Sequence, residues 1–281
     1  MALYTVDAFH MSTFGAFLAA IGLMLSPLVF APRRERREIR GLVLGLWWVN
    51  ASYGRFWHRL EVVGESTIPE KGPAILICNH TCCIDHILLQ ASTRRLLGFL
   101  IAKELYEFWL FRPLCRLADC IPVRRDGNDI AATKAALRAL KDGRVVPIFP
   151  EGRITPTSGR ELGEGKPGVA FIAIRAGVPV IPAYLWGTPE TRKVVASYLT
   201  PSKARVRFGP AIDLSDFAGE GKVDRERMDE VTRRLMGAIR ALRDEVQGVE
   251  ESGLSPRMAV EKQGGEGQRR ESLTGAGMTS V

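Results

Sequence analysis

The stretch Ala74-Ile-Leu-Ile-Cys-Asn-His-Thr-Cys-Cys-Ile-Asp-His86 decides how this chain folds. Its first five residues form an unbroken apolar run, which is typical of a buried β-strand. Asn79 and His80 end that run, and a helical pattern begins near Ile84. The pattern therefore predicts a strand that leads through a polar turn into a helix, with His80 at the end of the strand.

Asp85 follows His80 by five positions. On one continuous helix these two side chains would lie about 140° apart and would face different sides. They meet only if His80 stays in the loop and the chain folds back. A carboxylate that binds one imidazole nitrogen fixes the tautomer and leaves the other nitrogen as a base. The pair is therefore a candidate for removing the proton of an alcohol.

Short apolar runs alternate with helical stretches along most of the chain after residue 60. This alternation predicts an α/β fold with a mostly parallel or mixed central sheet flanked by helices. An amphipathic helix is predicted over 225–247. We predict strands at 61–63, 74–78, 98–102, 120–123, 145–149, 178–185 and 204–208, and helices near 85–92, 105–117, 130–140 and 168–176.

The N-terminal region has the pattern of a membrane-associated helical segment. Residues 8–31 contain no Asp, Glu, Lys or Arg, and about 20 apolar residues suffice to cross a bilayer core. Arginines at 33, 34, 36, 37 and 40 follow at once, which places this end in the cytoplasm by the positive-inside tendency. Residues 41–60 carry tryptophans and resemble an interfacial helix. The alternative for both segments is a helix packed in a soluble core.

Composition narrows the classes of partner. The net charge of +8 favours anionic partners, and the aromatic residues cluster near the N-terminus and at 106–111 instead of alternating with Lys and Arg. We therefore expect a membrane surface or a phosphorylated substrate and no nucleic acid. Five cysteines in apolar contexts predict reduced thiols, not a disulfide framework. Residues 248–281 are polar and glycine-rich, and we predict a disordered tail.

Three more stretches carry residues that suit ligand binding. Ile121-Pro-Val-Arg-Arg125 places arginines after a strand, where they can bind phosphate or simply be solvated. Phe149-Pro-Glu-Gly-Arg153 places Glu151, Gly152 and Arg153 in a second such position, although the same letters also suit a plain turn. Residues 178–182 are an apolar strand that forms either a cleft wall or ordinary core.

Two alternatives of another class stay open at this point. The stretch around His80 is dense in metal-ligand types, but no second cysteine pair exists elsewhere to complete a zinc site. The chain would alternatively be a membrane-binding domain without catalytic activity. The residues of ligand type in this stretch are Cys78, His80, Cys82, Cys83, Asp85 and His86.

Taken in order, the four stretches resemble the glycerolipid acyltransferase family, whose members acylate lysophosphatidic acid. The family's histidine motif stands here as Asn79, His80 and Asp85, and its second motif ends at Arg125 with Asp119 where a glycine often stands. The third motif runs from Phe149 to Arg153, with Arg-Ile-Thr in place of Thr-Arg-Ser, a variant that is similar to enzymes acting on lysophosphatidylethanolamine. The fourth motif matches 178–182, so the resemblance covers about 61–214.

The resemblance implies direct transfer of a fatty acyl group from acyl-CoA or acyl carrier protein to a lysophospholipid, with no further cofactor and no metal. The acceptor would be 1-acyl-glycerol-3-phosphate, giving phosphatidic acid, or another lysolipid such as lysophosphatidylethanolamine. His80 and Asp85 would be catalytic. The residues expected to bind substrate are Asn79, Arg125, Glu151, Gly152 and Arg153, with Arg125 on the phosphate and Glu151 on Arg125 or the glycerol hydroxyl.

Together, the composition, the N-terminal pattern and the resemblance divide the chain into three parts. Residues 1–58 would be membrane-anchoring or interfacial helices, residues 59–247 the acyltransferase α/β domain, and residues 248–281 the tail. The expected location is the cell inner membrane, with the catalytic domain on the cytoplasmic side.

Overall fold

A computed structural model describes residues 41–109, 111–124, 130–217 and 223–252. The expected membrane segment 8–31, the residue Arg125 and the tail from 253 onward lie outside the described residues. Within the described ranges, no helix is both long enough and apolar enough to cross a membrane.

The described residues form an α/β fold with a mixed central sheet. The strands are β1 (Glu61–Val63), β2 (Ala74–Cys78), β3 (Leu100–Ala102), β4 (Ile121–Val123), β5 (Val145–Ile148), β6 (Val180–Trp186) and β7 (Arg205–Phe208). The α-helices are α1 (Gly41–Ser52), α2 (Asp85–Ala91), α3 (Lys103–Glu107), α4 (Arg112–Leu117), α5 (Ile130–Lys141), α6 (Pro167–Ala176), α7 (Val194–Leu199) and α8 (Arg225–Glu251). A short π-helix, Tyr53–Trp57, continues α1.

The central sheet has the strand order β1-β7-β6-β2-β5. β2 lies near its middle and pairs in parallel with both β5 and β6, while β6 and β7 are antiparallel. All five residues of β2 are buried, because helices cover both faces of the sheet. Ile75 and Ile77 pack on the side of α5, α6 and α8, whereas Leu76 and Cys78 pack on the side of α2. This alternation follows from the two-residue period of a strand.

The predicted pattern and the structure differ in three places. β3 and β4 pair with each other in a separate two-stranded parallel sheet, so the central sheet has five strands. The single helix predicted near 105–117 is two helices, because Phe108 is extended and Pro113 starts a new first turn in α4. α7 has no counterpart in the prediction, since its six residues are too few for a periodic pattern.

Asp119, which stands where the resemblance leads us to expect glycine, lies in the turn before β4. Its φ is +52°, in the left-handed region that glycine adopts most easily and that Asp tolerates better than most residues. Its carbonyl oxygen accepts a hydrogen bond from the guanidinium of Arg144. The turn into β4 therefore keeps its shape without glycine.

The described N-terminal helix is fastened to the domain by polar contacts. Trp47 donates from Nε1 to the carbonyl of Thr93 at 2.8 Å, and Asn50 donates to the carbonyl of Ile87 at 3.0 Å. Just past the π-helix, His58 is fully buried between the hydroxyls of Tyr53 and Ser202. Burial lowers the pKa of His58 to about 4, so it is neutral at neutral pH. α1 is thus a fixed part of the folded domain.

Candidate active site

Two neighbouring parallel strands bring the first and third motifs together. Ile77 of β2 lies opposite Ile148 of β5. His80 and Glu151 each follow their strand by a few residues, so both lie at the carboxyl edge of the sheet. This edge is where α/β sheets place their ligand-binding loops.

The structure joins His80 and Asp85 as the sequence predicts. Nδ1 of His80 lies 2.7 Å from Oδ2 of Asp85, and the Asp85 side chain is fully buried. His80 lies in the loop after β2, and Asp85 is the first residue of α2. The chain folds back between them, so the two side chains meet although on one continuous helix they would face different sides. The buried carboxylate selects the tautomer in which Nδ1 carries the proton.

Asp85 is held by several donors from its own loop. The N–H of Thr81 donates to Oδ2 at 2.5 Å, and the Thr81 hydroxyl donates to Oδ1 at 2.5 Å. The N–H of Cys82 lies 3.1 Å from Oδ2, and its thiol lies 3.3 Å from Oδ1. Burying a polar group is costly unless it is hydrogen-bonded, and these donors occupy both oxygens of the Asp85 side chain. These contacts fix the rotamer of Asp85 and, through it, the orientation of His80.

The imidazole of His80 has one nitrogen left for chemistry. Its ring stacks on Phe149, with centroids 4.2 Å apart and an angle of 11° between the planes. Among the described residues none forms a hydrogen bond with Nε2, and 20% of the His80 side chain is exposed. Nε2 is therefore available to a substrate proton.

Glu151 holds the loops of the site together. Its Oε1 accepts the N–H of His80 at 2.8 Å, and its Oε2 accepts the N–H of Gly163 at 2.9 Å. A Cβ on Gly163 would lie 2.6 Å from Oε2, so the contact requires glycine there. Burial raises the pKa of Glu151, while the two N–H donors oppose that rise. The sequence predicted a contact with Arg125 or a substrate hydroxyl; the described contacts are with backbone, and the substrate role stays a prediction.

Asn79 ties the histidine loop to β6. Its Nδ2 donates to the carbonyl of Leu185 at 2.8 Å, and its Oδ1 accepts the N–H of Leu185 at 2.8 Å. Both ends of the amide are engaged, and the residue is buried. The contacts that the structure describes for Asn79 thus position the loop, and a contact with substrate stays a prediction.

Positive side chains surround the turn at Gly152. Gly152 has a φ of +69°, and a Cβ built on it would lie 3.1 Å from Nζ of Lys166. The backbone N–H of Lys166 donates to the carbonyl of Pro150 at 2.9 Å. Lys166 and Arg153 are both exposed. The sequence reasoning missed Lys166, because its place beside the turn depends on the fold of the loop 153–166.

The second motif occupies the smaller sheet. β4 ends at Val123, and the next described residue, Arg124, is exposed. Arg125, the residue predicted to bind phosphate, lies outside the described residues. A bridge between Leu97 and Val145 connects the approach to this small sheet with β5 of the central sheet. The proximity of Arg125 to His80 therefore stays a prediction.

The cysteines near His80 are buried or partly buried thiols. Burial, with a smaller contribution from Asp85, raises the pKa of Cys82 to about 12, so it is not a thiolate at neutral pH. Burial also lowers the pKa of His86 to about 4. In the part of the chain that the structure describes, no three His, Cys, Asp or Glu side chains come together as a metal site.

Comparison with known proteins places this geometry in a family. A probable 1-acyl-sn-glycerol-3-phosphate acyltransferase of Mycoplasma genitalium is 30% identical over 137 residues, which is 46% of this chain and 50% of that protein. A 1-acyl-sn-glycerol-3-phosphate acyltransferase of Bacillus subtilis is 24% identical over 66% of this chain and 89% of that protein. The family model described as Acyltransferase matches residues 59–186. Residues 59–186 thus match the Acyltransferase family.

A solved structure of this family has the same fold. The 1-acyl-sn-glycerophosphate (LPA) acyltransferase, PlsC, from Thermotoga maritima aligns with a TM-score of 0.60 and 22% identity, covering 84% of this chain and 95% of that protein. The chain spans about half the length of the mycoplasma relatives it matches. Within the family match, the histidine motif, the end of the second motif and the Pro-Glu-Gly turn all fall inside 59–186.

Proposed function

We propose that the protein is an O-acyltransferase that moves a fatty acyl group from a thioester donor, acyl-CoA or acyl carrier protein, to the free hydroxyl of a lysophospholipid. The proposed acceptor is 1-acyl-glycerol-3-phosphate and the product phosphatidic acid. The observation that carries the proposal is the 2.7 Å contact of His80 Nδ1 with buried Asp85, which leaves Nε2 available at the carboxyl edge of the sheet. The names of the relatives support the choice of reaction.

The chemistry requires one base and no covalent enzyme intermediate. Nε2 of His80 takes the hydroxyl proton as the acceptor oxygen attacks the thioester carbonyl carbon. A new C–O bond forms, the C–S bond breaks, and the departing thiolate receives the same proton from His80. Asp85 stabilises the imidazolium that exists between the two proton transfers. The protein returns to its starting state with a free thiol and an ester as products.

A panel assay tests the proposed function. Purified full-length protein is mixed with labelled acyl-CoA or acyl carrier protein and, separately, with lysophosphatidic acid, lysophosphatidylethanolamine and lysophosphatidylcholine. We expect a labelled diacyl product with lysophosphatidic acid and none without an acceptor. A product only with lysophosphatidylethanolamine would show that the acceptor carries an ethanolamine headgroup. If no combination of donor and lysolipid gave a product, the proposal would be overturned.

The phosphate of the acceptor is proposed to lie beside the turn at Gly152. Lys166 and Arg153 are exposed there. Arg153 is two residues after Glu151, and the Lys166 side chain lies against Gly152, the residue between them. Glu151 itself accepts the backbone N–H of His80. Within the described ranges neither cation forms an ion pair with a carboxylate. Unpaired cations attract a phosphate strongly, and arginine does so bidentately. Arg125 would complete the group.

Replacing Lys166 with methionine is expected to raise the KM for lysophosphatidic acid about tenfold, since a hydrogen bond to a charged group is lost. Methionine keeps an apolar stem against Gly152, so the turn should keep its shape. The donor KM should stay within twofold. The measurement is steady-state kinetics with each substrate varied in turn.

The control for this variant is Lys141→Met, which removes an equal charge at the last residue of α5, before β5 begins. It should leave both KM values unchanged. If Lys166→Met instead raised only the donor KM, the cation would serve the donor, and its place in the acceptor site would be wrong.

We further propose that the protein works on the cytoplasmic face of the cell inner membrane. An apolar patch supports this, which we define as the described exposed side chains of α1, the π-helix and residues 105–109 and 111–114. Trp48 is 59% exposed, Phe56 81% and Trp109 75%. Leu117 of α4 packs against Val43 and Leu46 of α1, so the two parts of the patch are adjacent. Indole rings favour the headgroup level of a bilayer.

Arginines lie in this patch and beside it. Arg55, Arg112 and Arg116 are exposed, and none of them forms an ion pair among the described residues. Each exposed cation near an anionic bilayer contributes about 1 kcal/mol of binding. The patch therefore suits a membrane that contains anionic lipid. The proposed substrate and product are themselves anionic lipids.

The double substitution Trp48→Ser and Trp109→Ser is expected to lower binding of the full-length protein to anionic vesicles about tenfold or more, because two large apolar contacts with lipid are lost. Co-sedimentation with vesicles of phosphatidylglycerol and phosphatidylcholine measures it. Ile130→Ser is the control, since Ile130 is 68% exposed on α5, which covers the opposite face of the sheet. Equal loss in the control and the double variant would contradict a role for the patch.

A further inference from the structure

Two loops meet over the residue that follows His80. Thr81 is buried, and a Cβ built on Gly159 would lie 3.7 Å from its Cβ, so the loop 153–163 passes directly against it. The loop after β6 also reaches it, through the hydroxyl of Thr188. Arg160 and Glu190 join the two loops with an ion pair of 3.0 Å. Thr81 is therefore enclosed by loops that come from two different strands.

The hydroxyls beneath these loops form a directed chain. The Thr188 hydroxyl donates to the Thr81 hydroxyl at 2.8 Å, and the Thr81 hydroxyl donates to Oδ1 of Asp85 at 2.5 Å. Asp85 accepts from Nδ1 of His80 with its other oxygen. A hydroxyl has one proton and two lone pairs, so Thr81, whose proton goes to Asp85, meets Thr188 as an acceptor. The donor Thr188 therefore favours the rotamer of Thr81 that points its proton at Asp85.

We propose that Thr188 is a positioning residue for the acyl transfer, acting through Thr81 on the Asp85–His80 pair. The expected loss of kcat rests on the proposed function, whereas the expected change at the His80 imidazole does not. Among the described residues, Thr188 forms no hydrogen bond with His80 or Asp85. Its role is to hold the Thr81 hydroxyl in the rotamer that donates to the carboxylate.

The physical reason is cooperativity in a chain of hydrogen bonds that ends on the buried Asp85. Each donor polarises the next hydroxyl, so loss of the first donor weakens the contacts that follow it. Without Thr188, Thr81 gains freedom to rotate away from Asp85. The carboxylate then loses one of its charge-assisted contacts and a constraint on its rotamer. The imidazole follows the carboxylate, and small displacements of a catalytic base slow a reaction substantially.

Thr188 also connects the loop that carries His80 to the segment that follows β6. Thr188 lies two residues after the end of β6, and Asn79 already ties the end of β6 to the histidine loop at Leu185. The two contacts fix the histidine loop at two points along one segment. A movement of the loop 187–193 is therefore transmitted to Asp85 by hydrogen bonds and not by packing alone.

Thr188→Val tests the proposal, because valine keeps the shape of threonine and removes only the hydroxyl. We expect kcat to fall about 10-fold, with both KM values within twofold, as for loss of a contact that acts on the base alone. Thr188→Ser restores the hydroxyl and should recover most of the rate. Thr191→Val is the matched control on the same loop, where the hydroxyl only accepts the N–H of Lys193. It should leave the rate unchanged.

The double variant Thr81→Val, Thr188→Val distinguishes a chain from two separate contacts. If Thr188 acts through Thr81, the double variant is no slower than Thr81→Val alone, which itself should be about 10- to 100-fold slower. Multiplicative loss in the double variant would overturn the chain. An unchanged kcat in Thr188→Val, or a loss that Thr188→Ser does not recover, would overturn the positioning role.

A spectroscopic readout keeps this result separate from the proposed function. The imidazole nitrogens of ¹⁵N-labelled protein report whether His80 carries its proton on Nδ1 and how strongly that proton is hydrogen-bonded. We expect the Nδ1–H signal of His80 to weaken or shift in Thr188→Val, return in Thr188→Ser and stay in place in Thr191→Val. An unaltered signal in Thr188→Val would refute the inference even if the wild-type protein transferred no acyl group, which would be a failure of the proposed function alone.

Discussion

Replacing His80 with alanine is expected to lower kcat for acyl transfer about 10²–10⁴-fold while the protein stays folded, because the change removes the one base of the site. The ring of His80 is partly exposed and stacks on a single aromatic side chain, Phe149, so its loss costs little core packing. The backbone N–H that binds Glu151 remains in the variant. The measurement is the initial rate with saturating donor and acceptor, together with the thermal unfolding midpoint.

His86→Gln is the control for this prediction. His86 is also a histidine beside Asp85, but burial keeps it neutral, and glutamine is a neutral substitute of similar polarity. It should keep most of the rate. A folded His80→Ala variant with a rate within threefold of wild type would show that another group removes the proton.

Asp85→Asn is expected to reduce activity by a similar factor and to destabilise the fold as well. An amide offers one acceptor oxygen, whereas the native carboxylate accepts hydrogen bonds at both of its oxygens. The amide NH₂ then faces other donors, namely His80 Nδ1 and the Thr81 N–H, or the Thr81 hydroxyl. The imidazole loses the partner that selects its tautomer, and at least one buried donor is left without an acceptor.

Two measurements separate the parts of this effect. Unfolding in urea should show a loss of about 1–3 kcal/mol, which is the usual cost of an unsatisfied buried donor. Single-turnover rates, measured without urea and well below the thermal unfolding midpoint, should show the loss of the chemical step. Asp142→Asn, an exposed change at the end of α5, is the control for both. Native stability with native turnover in Asp85→Asn would mean that the carboxylate does not set the tautomer.

The features that the sequence predicts well are those set by local pattern. The apolar run 74–78 is a buried strand, and the turn that follows puts His80 in a loop and Asp85 at the start of a helix. Both outcomes depend on neighbours in sequence, which is why a pattern of apolar and polar residues predicts them. The α/β class follows in the same way from alternation along the chain.

Partners that are distant in sequence were not predictable from pattern. The sequence offers Glu151 as a ligand for a hydroxyl or an arginine, yet the fold sets it against the N–H groups of His80 and Gly163. The pairing depends on β5 lying beside β2, and strand order is a property of the whole sheet. The order β1-β7-β6-β2-β5 and the separation of β3 and β4 likewise depend on which buried faces find each other.

By itself the sequence determined the fold class, the family motifs and the pair His80 and Asp85, because each depends on residues within a short span. The tertiary structure alone decided that Asn79 and Glu151 hold backbone, that Lys166 lies beside Gly152, and that Thr188 reaches Asp85 through Thr81. Those contacts join residues up to 107 positions apart. Such contacts form only when strands far apart in the chain become neighbours, and their hydrogen bonds leave no periodic signal in the sequence.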